Sequence, residues 1–261
     1  MAHVNEHQAG TPVWVDQSVE TSEQREGLAD FYTALFGWTW DVGSEDMGYY
    51  SIASHDGRAV MGLGQGQGGN GGFTTYFATE DIERSAARAT ELGASIDLGP
   101  MRVFDVGSMA ILADPVGARH GLWQAGTFSG FGVAYEPGAP GWFDHASSDP
   151  ARAAAYYTAL TGHDLVDSDN DEMRVLQAGE RWFASVSQDE TPGRSAQWNP
   201  VYVVASLPAL RDRVRELGAT VVLEETAVPG SAISVFVEPI MGAALTVMRH
   251  GGSESDGQSS E

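Results

Sequence analysis

Residues 31–38 read FYTALFGW and residues 156–163 read YYTALTGH. The second stretch repeats the first 125 residues later, and upstream Trp14-Val15-Asp16 returns as Trp142-Phe143-Asp144, 128 residues later. The first copy therefore carries three extra residues between strand and helix, near Gln24–Gly27. Glu91-Leu92-Gly93-Ala94 returns as Glu216-Leu217-Gly218-Ala219, and Asp114-Pro115 with Gly117 is echoed by Glu238-Pro239 with Gly242. Self-similarity of this kind makes the chain a duplicated unit and sets the architecture before any single element is read.

Each unit divides again. Val13–Val19 alternates as a strand does. Leu28–Phe36 has apolar residues at helical spacing, with Gly37 at the C-cap position. Tyr49–Ala53 and Ala59–Leu63 flank the turn His55-Asp56-Gly57-Arg58 and read as a hairpin. The glycine-rich stretch Gly62–Gly72 reads as a flexible linker, because a phosphate cradle needs a lysine and a strand–loop–helix context. Then come a strand at Phe73–Ala78, a helix over Ile82–Leu92 ended by Gly93, and strands near Arg102–Val106, Met109–Ala113 and Arg119–Gln124. The order β-α-β-β-β thus occurs twice per unit and four times in the chain, an α+β fold. The third module starts at Trp142 and turns at Gln177-Ala178-Gly179-Glu180. The fourth starts near Val201, with its helix over Pro208–Leu217. The expected organisation is a flexible tail over 1–10, a first domain over 11–126, a Gly/Pro-rich linker over 127–140, a second domain over 141–249 and a disordered acidic tail over 250–261.

Length and composition fit one large domain or two domains of ordinary size: 261 residues, 42% apolar. The 14 basic residues are all arginine, against 36 acidic ones, for a net charge of −22. With no lysine there is no Schiff-base or phosphate-loop lysine. With no cysteine there is no disulfide, thiolate nucleophile, iron–sulfur cluster or cysteine–zinc site. The negative charge repels phosphate backbones and anionic membranes, so neither nucleic acid nor membrane is expected as a partner. No apolar run approaches the ~20 residues of a membrane span. The first ten residues lack the regions of a signal peptide, and a cytoplasmic location is expected.

Four β-α-β-β-β modules, the helix FYTALFGW and a last strand opened by Asp-Pro-x-Gly resemble the vicinal oxygen chelate superfamily. That superfamily contains glyoxalase I, extradiol dioxygenases and bleomycin-resistance proteins. The tandem form, with Trp-x-Asp on the first strand and Gly-Leu-Trp-Gln on the last, is similar to an actinobacterial subgroup often labelled hydroxylase. The resemblance covers residues 11–249. It implies two tandem glyoxalase/bleomycin-resistance-like domains, each with a concave mixed sheet around a cavity. It says less about activity, since one fold hosts many chemistries.

Metal-binding members of the superfamily place a His, Gln or Glu near the start of each module's first strand and a Glu on its last. Here those positions fall on Trp14, Thr74, Trp142 and Asn199, on Gly121 and Thr246, and near Gly64 and Ser185. None is His or Glu. Gly and Trp do not coordinate a divalent metal, and Thr and Asn do so weakly, so no metal and no other cofactor is expected. A slip of one residue would turn His120 or His145 inward. However, Val13, Val15 and Val19 make one coherent apolar face for the helix, which leaves Trp14, Asp16 and Ser18 on the other. His120 and His145 then read as structural, His163 as a surface residue at a helix end, and His3, His7 and His250 as tail residues.

On this register the first concave face carries Trp14, Asp16, Ser18, Thr74, Tyr76 and Trp123, with Arg119 at the rim. The second carries Trp142, Asp144, Asn199, Val201, Val203 and Thr246. A concave aromatic surface with a few polar groups suits a small planar ligand, although tryptophans also fill cores. Asp16 and Asp144 are the candidate catalytic groups, because a buried carboxylate must meet a donor or take up a proton. No complete acid–base pair is visible. The expected function is metal-independent binding of an aromatic or polycyclic small molecule: sequestration of an antibiotic or polyketide, or assistance to its biosynthesis. The alternative is an enzyme of this superfamily, a hydroxylase or oxygenase, a lyase or an isomerase. The two pockets are expected to differ, since Asn199 and Val201 replace Thr74 and Tyr76. Duplication supplies in one chain the pairing that smaller relatives obtain by dimerising, so a monomer with an internal pseudo-dimer, or a homodimer, is expected.

Overall fold

The computed structural model describes residues 7–66, 71–167, 173–189, 191, 194–228 and 231–250. Most of the expected tails, 1–6 and 251–261, and part of the glycine-rich stretch, 67–70, lie outside the described residues. The first module is β1 (Pro12–Val19), α1 (Ser22–Phe36), β2 (Thr39–Val42), β3 (Ser51–His55) and β4 (Arg58–Gln65). The second is β5 (Phe73–Ala78), α2 (Ile82–Glu91), β6 (Ser95–Val103), β7 (Gly107–Ala113) and β8 (Arg119–Ala125). The third is β9 (Pro140–Ser147), α3 (Pro150–Thr161), β10 (Asp164–Asp167), β11 (Met173–Ala178) and β12 (Arg181–Gln188). The fourth is β13 (Gln197–Val203), α4 (Leu207–Glu216), β14 (Thr220–Val228), β15 (Ser231–Val237) and β16 (Ala244–His250).

The modules pair into two eight-stranded mixed sheets, β2-β3-β4-β1-β5-β8-β7-β6 and β10-β11-β12-β9-β13-β16-β15-β14. In each module the first strand lies parallel to the last, as in β1 with β4 and β13 with β16. The helix makes the crossover that parallel pairing requires. Modules join through their first strands, β1 antiparallel to β5 and β9 antiparallel to β13. The duplication read from the sequence is thus two tandem α+β domains of one topology.

Local chemistry sets the helix ends. Thr21 caps α1 in a reciprocal box with Gln24, and Gly37 closes it in the left-handed conformation at φ 74°. Helix α1 has 15 residues and α3 has 12, so the three extra residues of the first copy lengthen the helix. That places its start at Ser22 rather than Leu28. Gly62 and Gly64, expected in a linker, lie within β4.

The units meet through their helix-bearing faces. Helix α1 packs beside α4, α2 beside α3 and β5 beside β13. Ring pairs cross the junction, including Phe77 with Trp198 at 5.2 Å and Phe31 with Phe236 at 6.5 Å. Burying an aromatic ring of this size stabilises by about 1.5–3 kcal/mol, so each unit contributes strongly to the other's core.

Two buried carboxylates bind the halves together. Asp114, in the turn before β8, accepts the Val116 and Ala118 backbone N–H groups and the Tyr157 hydroxyl, and lies 2.8 Å from His145 Nε2. Its counterpart Glu238 accepts the N–H groups of Ile240, Met241 and Ala243 and the Gln17 side-chain amide. His145 therefore faces the helices, as does His120, which meets the Tyr156 hydroxyl at 3.1 Å. His163 is buried instead of superficial: its Nε2 lies 2.9 Å from the Ala9 carbonyl and its ring packs on Phe183. Gly10 and Thr11 in turn exchange backbone hydrogen bonds with Ala78, tying the segment from residue 9 onward to the body. Among the described residues, no helix is long and apolar enough to cross a membrane.

Candidate functional site

On β1, Trp14 and Asp16 point away from α1, into the concave face of the first sheet. The Trp14 indole N–H donates to the Tyr50 hydroxyl at 2.7 Å. Tyr50 and Tyr76 both donate to Asp16 Oδ2, at 3.3 and 2.8 Å. Asp16 is 2% exposed, and its Oδ1 has no hydrogen-bond partner among the described residues. Burial pushes its carboxyl up to about 6, against the pull of the Tyr76 hydrogen bond and the Arg119 charge. Both phenols are raised well above their ordinary range by burial, so they stay protonated and donate.

This face is filled. Ladder register sets Gly62 opposite Asp16 and Gly121 opposite Tyr76. A methyl group on Gly62 would collide with the Tyr50 hydroxyl, and one on Gly121 with the Tyr76 ring. The two glycines make room for two phenol rings in the middle of the sheet. Phe128, from the segment expected as a linker, lies edge-on to Trp14 at 4.9 Å, and its carbonyl accepts the Trp123 indole N–H at 3.0 Å. Trp14, Ser18, Thr74, Tyr76 and Trp123 are all buried.

The second face has the same plan, with serine hydroxyls where the first has phenols. The Trp142 indole N–H donates to Ser185 Oγ at 2.8 Å, and Ser185 Oγ donates to Asp144 Oδ1 at 2.6 Å. Ser187 Oγ donates to Asp144 Oδ2 at 2.9 Å. Burial raises the Asp144 carboxyl, while hydrogen bonds from Ser185 and Ser187 oppose the rise. Ser185 stands opposite Asp144 where Gly62 stands opposite Asp16, and the Val201–Thr246 pair replaces Tyr76–Gly121. Trp142, Asp144, Asn199 and Thr246 stay partly exposed. Val201, Val203 and Met248 form a small apolar cluster against Trp142 and Ile233, separate from the main core. Asn199 Oδ1 accepts the Gln197 amide at 2.8 Å.

Arg119 does not stand over the first face alone. It lines a cavity of about 570 Å³ between the two units, with Ser18 and Thr74 from the first and Asn199 from the second. Reading the sequence missed Tyr50, and it missed Ser185 and Ser187 as partners of Asp144. The signal for Tyr50 was Gly62, a strand glycine that marks a close approach.

A divalent metal does not fit the places where metal-binding relatives of this topology hold one. Gly121 is covered by the Tyr76 ring, and the Trp14 and Trp142 nitrogens are indole donors already spent on hydroxyls. Among the described residues, no three His, Asp or Glu side chains converge.

A family model described as a glyoxalase-like domain matches residues 142–240. The chain is 30% identical over 259 residues to an anthracycline biosynthesis protein, DnrV, of Streptomyces peucetius, covering 92% of this chain and 93% of that protein. It is 28% identical over 255 residues to a putative glyoxylase, CFP32, of Mycobacterium tuberculosis (strain CDC 1551 / Oshkosh), covering 94% and 97%. Among solved structures, the 2,3-dioxygenase LapB from Pseudomonas sp. KL28 matches with a TM-score of 0.65 at 14% identity, over 93% of this chain and 92% of that one. A Mn(II)-bound glyoxalase from Novosphingobium aromaticivorans matches with a TM-score of 0.64 at 14% identity, over 93% and 82%. At that identity the likeness shows the fold alone.

Proposed function

We propose a function from one premise, that the chain belongs to the vicinal oxygen chelate superfamily: it binds an aromatic or polycyclic small molecule on the concave face of its second sheet, without a metal. The observation that carries this reading is the Trp142–Ser185–Asp144 chain, whose indole and carboxylate residues stay partly exposed where Trp14 and Asp16 are buried. A partly exposed indole offers stacking area at low entropic cost, and a fixed carboxylate accepts a ligand hydroxyl. The relative named for anthracycline biosynthesis supports a polyketide as the ligand class. The role is to sequester such a molecule or to present it to a partner enzyme. The first sheet then serves as scaffold.

A second reading is an enzyme that moves a proton to or from such a molecule. The raised carboxyl of Asp144 favours it, because burial makes a carboxylate a stronger base.

The deciding experiment is titration of the full chain with an anthracycline, followed by quenching of tryptophan fluorescence, before and after dialysis against a chelator. Saturable micromolar binding that survives the chelator and weakens about tenfold or more in Trp142→Ala is expected. Binding that vanishes with a stoichiometric metal would overturn the metal-independent reading. Turnover of the ligand, lost in Asp144→Asn, would establish the enzyme.

A further inference from the structure

We propose that a cavity on the helix-bearing side, between α2 and α3, is a second binding site, one that takes a small neutral aromatic molecule of one or two rings. It lies away from both concave faces and does not rest on the function proposed for the second. The cavity holds about 440 Å³, within the range of small-molecule sites.

The other half of the same junction shows what the space accommodates. At the repeat's spacing of 125 residues, Thr161 takes the place of Phe36, Phe77 that of Tyr202, Ser85 that of Leu210 and Arg88 that of Arg213. The ladders agree, since Phe77 stands opposite Leu122 as Tyr202 stands opposite Val247. Where α1 meets α4, the Phe36 ring stacks on Trp38 at 4.7 Å and lies 5.6 Å from the Tyr202 ring. Leu210 packs there against the main core, and Arg213 Nε donates to the Ala34 carbonyl at 3.1 Å, fastening α4 to α1. Where α3 meets α2, the smaller Thr161 and Ser85 line the cavity beside Phe77, and Arg88 stands in the lining, paired within its own helix to Glu91 at 3.2 Å. One half of a pseudo-symmetric junction is closed by a phenyl ring, and the other keeps a cavity against the equivalent strand position. Interiors are close-packed, so a space that the chain itself fills with a ring in one half is shaped for a ring in the other.

The walls set the chemistry of the ligand. Phe77 and Leu122 form a buried apolar floor, on which an aromatic ring gains both area and ring–ring contact. The Ser85 hydroxyl lies 2.6 Å from that of Thr79. A hydroxyl has one donor and two acceptor sites, so this bond leaves Ser85 capacity for a ligand hydroxyl. Arg84 and Arg88 line the cavity together with Glu80 and Glu91, and opposite charges in equal number select neither a cation nor an anion.

Calorimetric titration with 2-naphthol, of the native chain and of Trp142→Ala, tests the site with the second concave face intact and impaired. Saturable binding that persists in Trp142→Ala is expected. Thr161→Phe copies the Phe36 half. It is expected to melt no lower than its parent, because the ring fills the cavity, and to weaken 2-naphthol about tenfold or more in the Trp142→Ala background. Ser85→Leu copies Leu210, narrows the cavity from α2 and decides the matter if the ring at position 161 prevents folding. Because the readout is taken with Trp142 removed, failure of anthracycline to bind the second face leaves it unaffected. The proposal is overturned by loss of all saturable 2-naphthol binding below millimolar concentration in Trp142→Ala. It is equally overturned by unchanged affinity in folded Thr161→Phe or, where that variant does not fold, in Ser85→Leu.

Discussion

His145 Nε2 lies 2.8 Å from Asp114 Oδ2, joining the first strand of the second unit to the last turn of the first. The equivalent place in the other half holds Gln17 and Glu238, 3.3 Å apart. One interface is closed by an imidazole and an aspartate, the other by an amide and a glutamate. Asp114 also accepts two backbone N–H groups and the Tyr157 hydroxyl, so its loss leaves several buried donors without an acceptor. Asp114→Ala is predicted to destabilise by about 3–5 kcal/mol. His145→Gln copies the other half and is predicted to cost less than about 2 kcal/mol. Urea unfolding of both variants checks the order; equal losses would show that the pseudo-symmetry carries no energetic meaning.

Acid stability is predicted to reflect a near cancellation. Burial lowers the His120 imidazole to about 4, so the unfolded chain binds its proton first and stability drops as pH falls from 6.5 toward 4. Burial raises the Asp16 carboxyl to about 6, so the folded chain binds that proton first and stability rises as pH falls from 6 toward 4. Each contribution is about 3 kcal/mol over nearly the same window, with opposite sign. Asp144 adds to the Asp16 side and His7 to the His120 side. Asp114, held below its ordinary range mainly by the His145 hydrogen bond against the cost of burial, gives stability that is lost only as pH falls below about 4. Asp16→Asn is therefore expected to unfold more steeply with acid between pH 6.5 and 4 than the parent. Chemical denaturation at several pH values reads this directly, and parallel profiles for the two proteins would refute it.

The filled first face rests on two glycine–tyrosine contacts. Gly121→Ala puts a methyl group into the Tyr76 ring and is predicted to cost about 1–3 kcal/mol. The second sheet solves the same position with Val201 and Thr246. In a Tyr76→Val background the space is open, so Gly121→Ala is predicted to be nearly neutral there. The double-mutant cycle isolates this coupling. Additive losses would mean that the strain is relieved elsewhere.

The duplication, the module order and the two faces of β1 were legible because they follow from repetition and a period of two. Val13, Val15 and Val19 set the register of β1, and the placement of His120 and His145 on the helix side follows from it. The four-residue edge strands β2 and β10 were not legible, because their residues are mostly exposed and give no alternation. The glycine-rich stretch misled for a physical reason: glycine in Gly62 and Gly64 accommodates rings, and composition alone does not separate that from flexibility. Trp14 and Trp142 look identical in sequence. What distinguishes them is the partner of the indole N–H: the hydroxyl of Tyr50, far away in the chain, for Trp14, and that of Ser185 for Trp142.

That difference gives the last prediction. Ser185 accepts the Trp142 indole N–H and donates to Asp144, so it holds the ring and the carboxylate in one geometry. Ser185→Ala leaves Asp144 with Ser187 and takes the acceptor from the indole N–H of Trp142, a residue that is only partly buried. Stability is expected to change by about 1 kcal/mol or less. The Asp144 carboxyl is expected to rise, because one of the hydrogen bonds that oppose burial is gone. Anthracycline affinity is expected to fall, because the ring is no longer held in the stacking position. Tyr50→Phe in the first sheet should do the reverse. It leaves the buried Trp14 N–H unpaired, costs about 1–3 kcal/mol, and leaves anthracycline affinity unchanged. Melting curves and fluorescence titrations of the two variants, side by side, test whether the sheets have divided structure from binding; an affinity loss in Tyr50→Phe equal to that in Ser185→Ala would place the ligand on the wrong sheet.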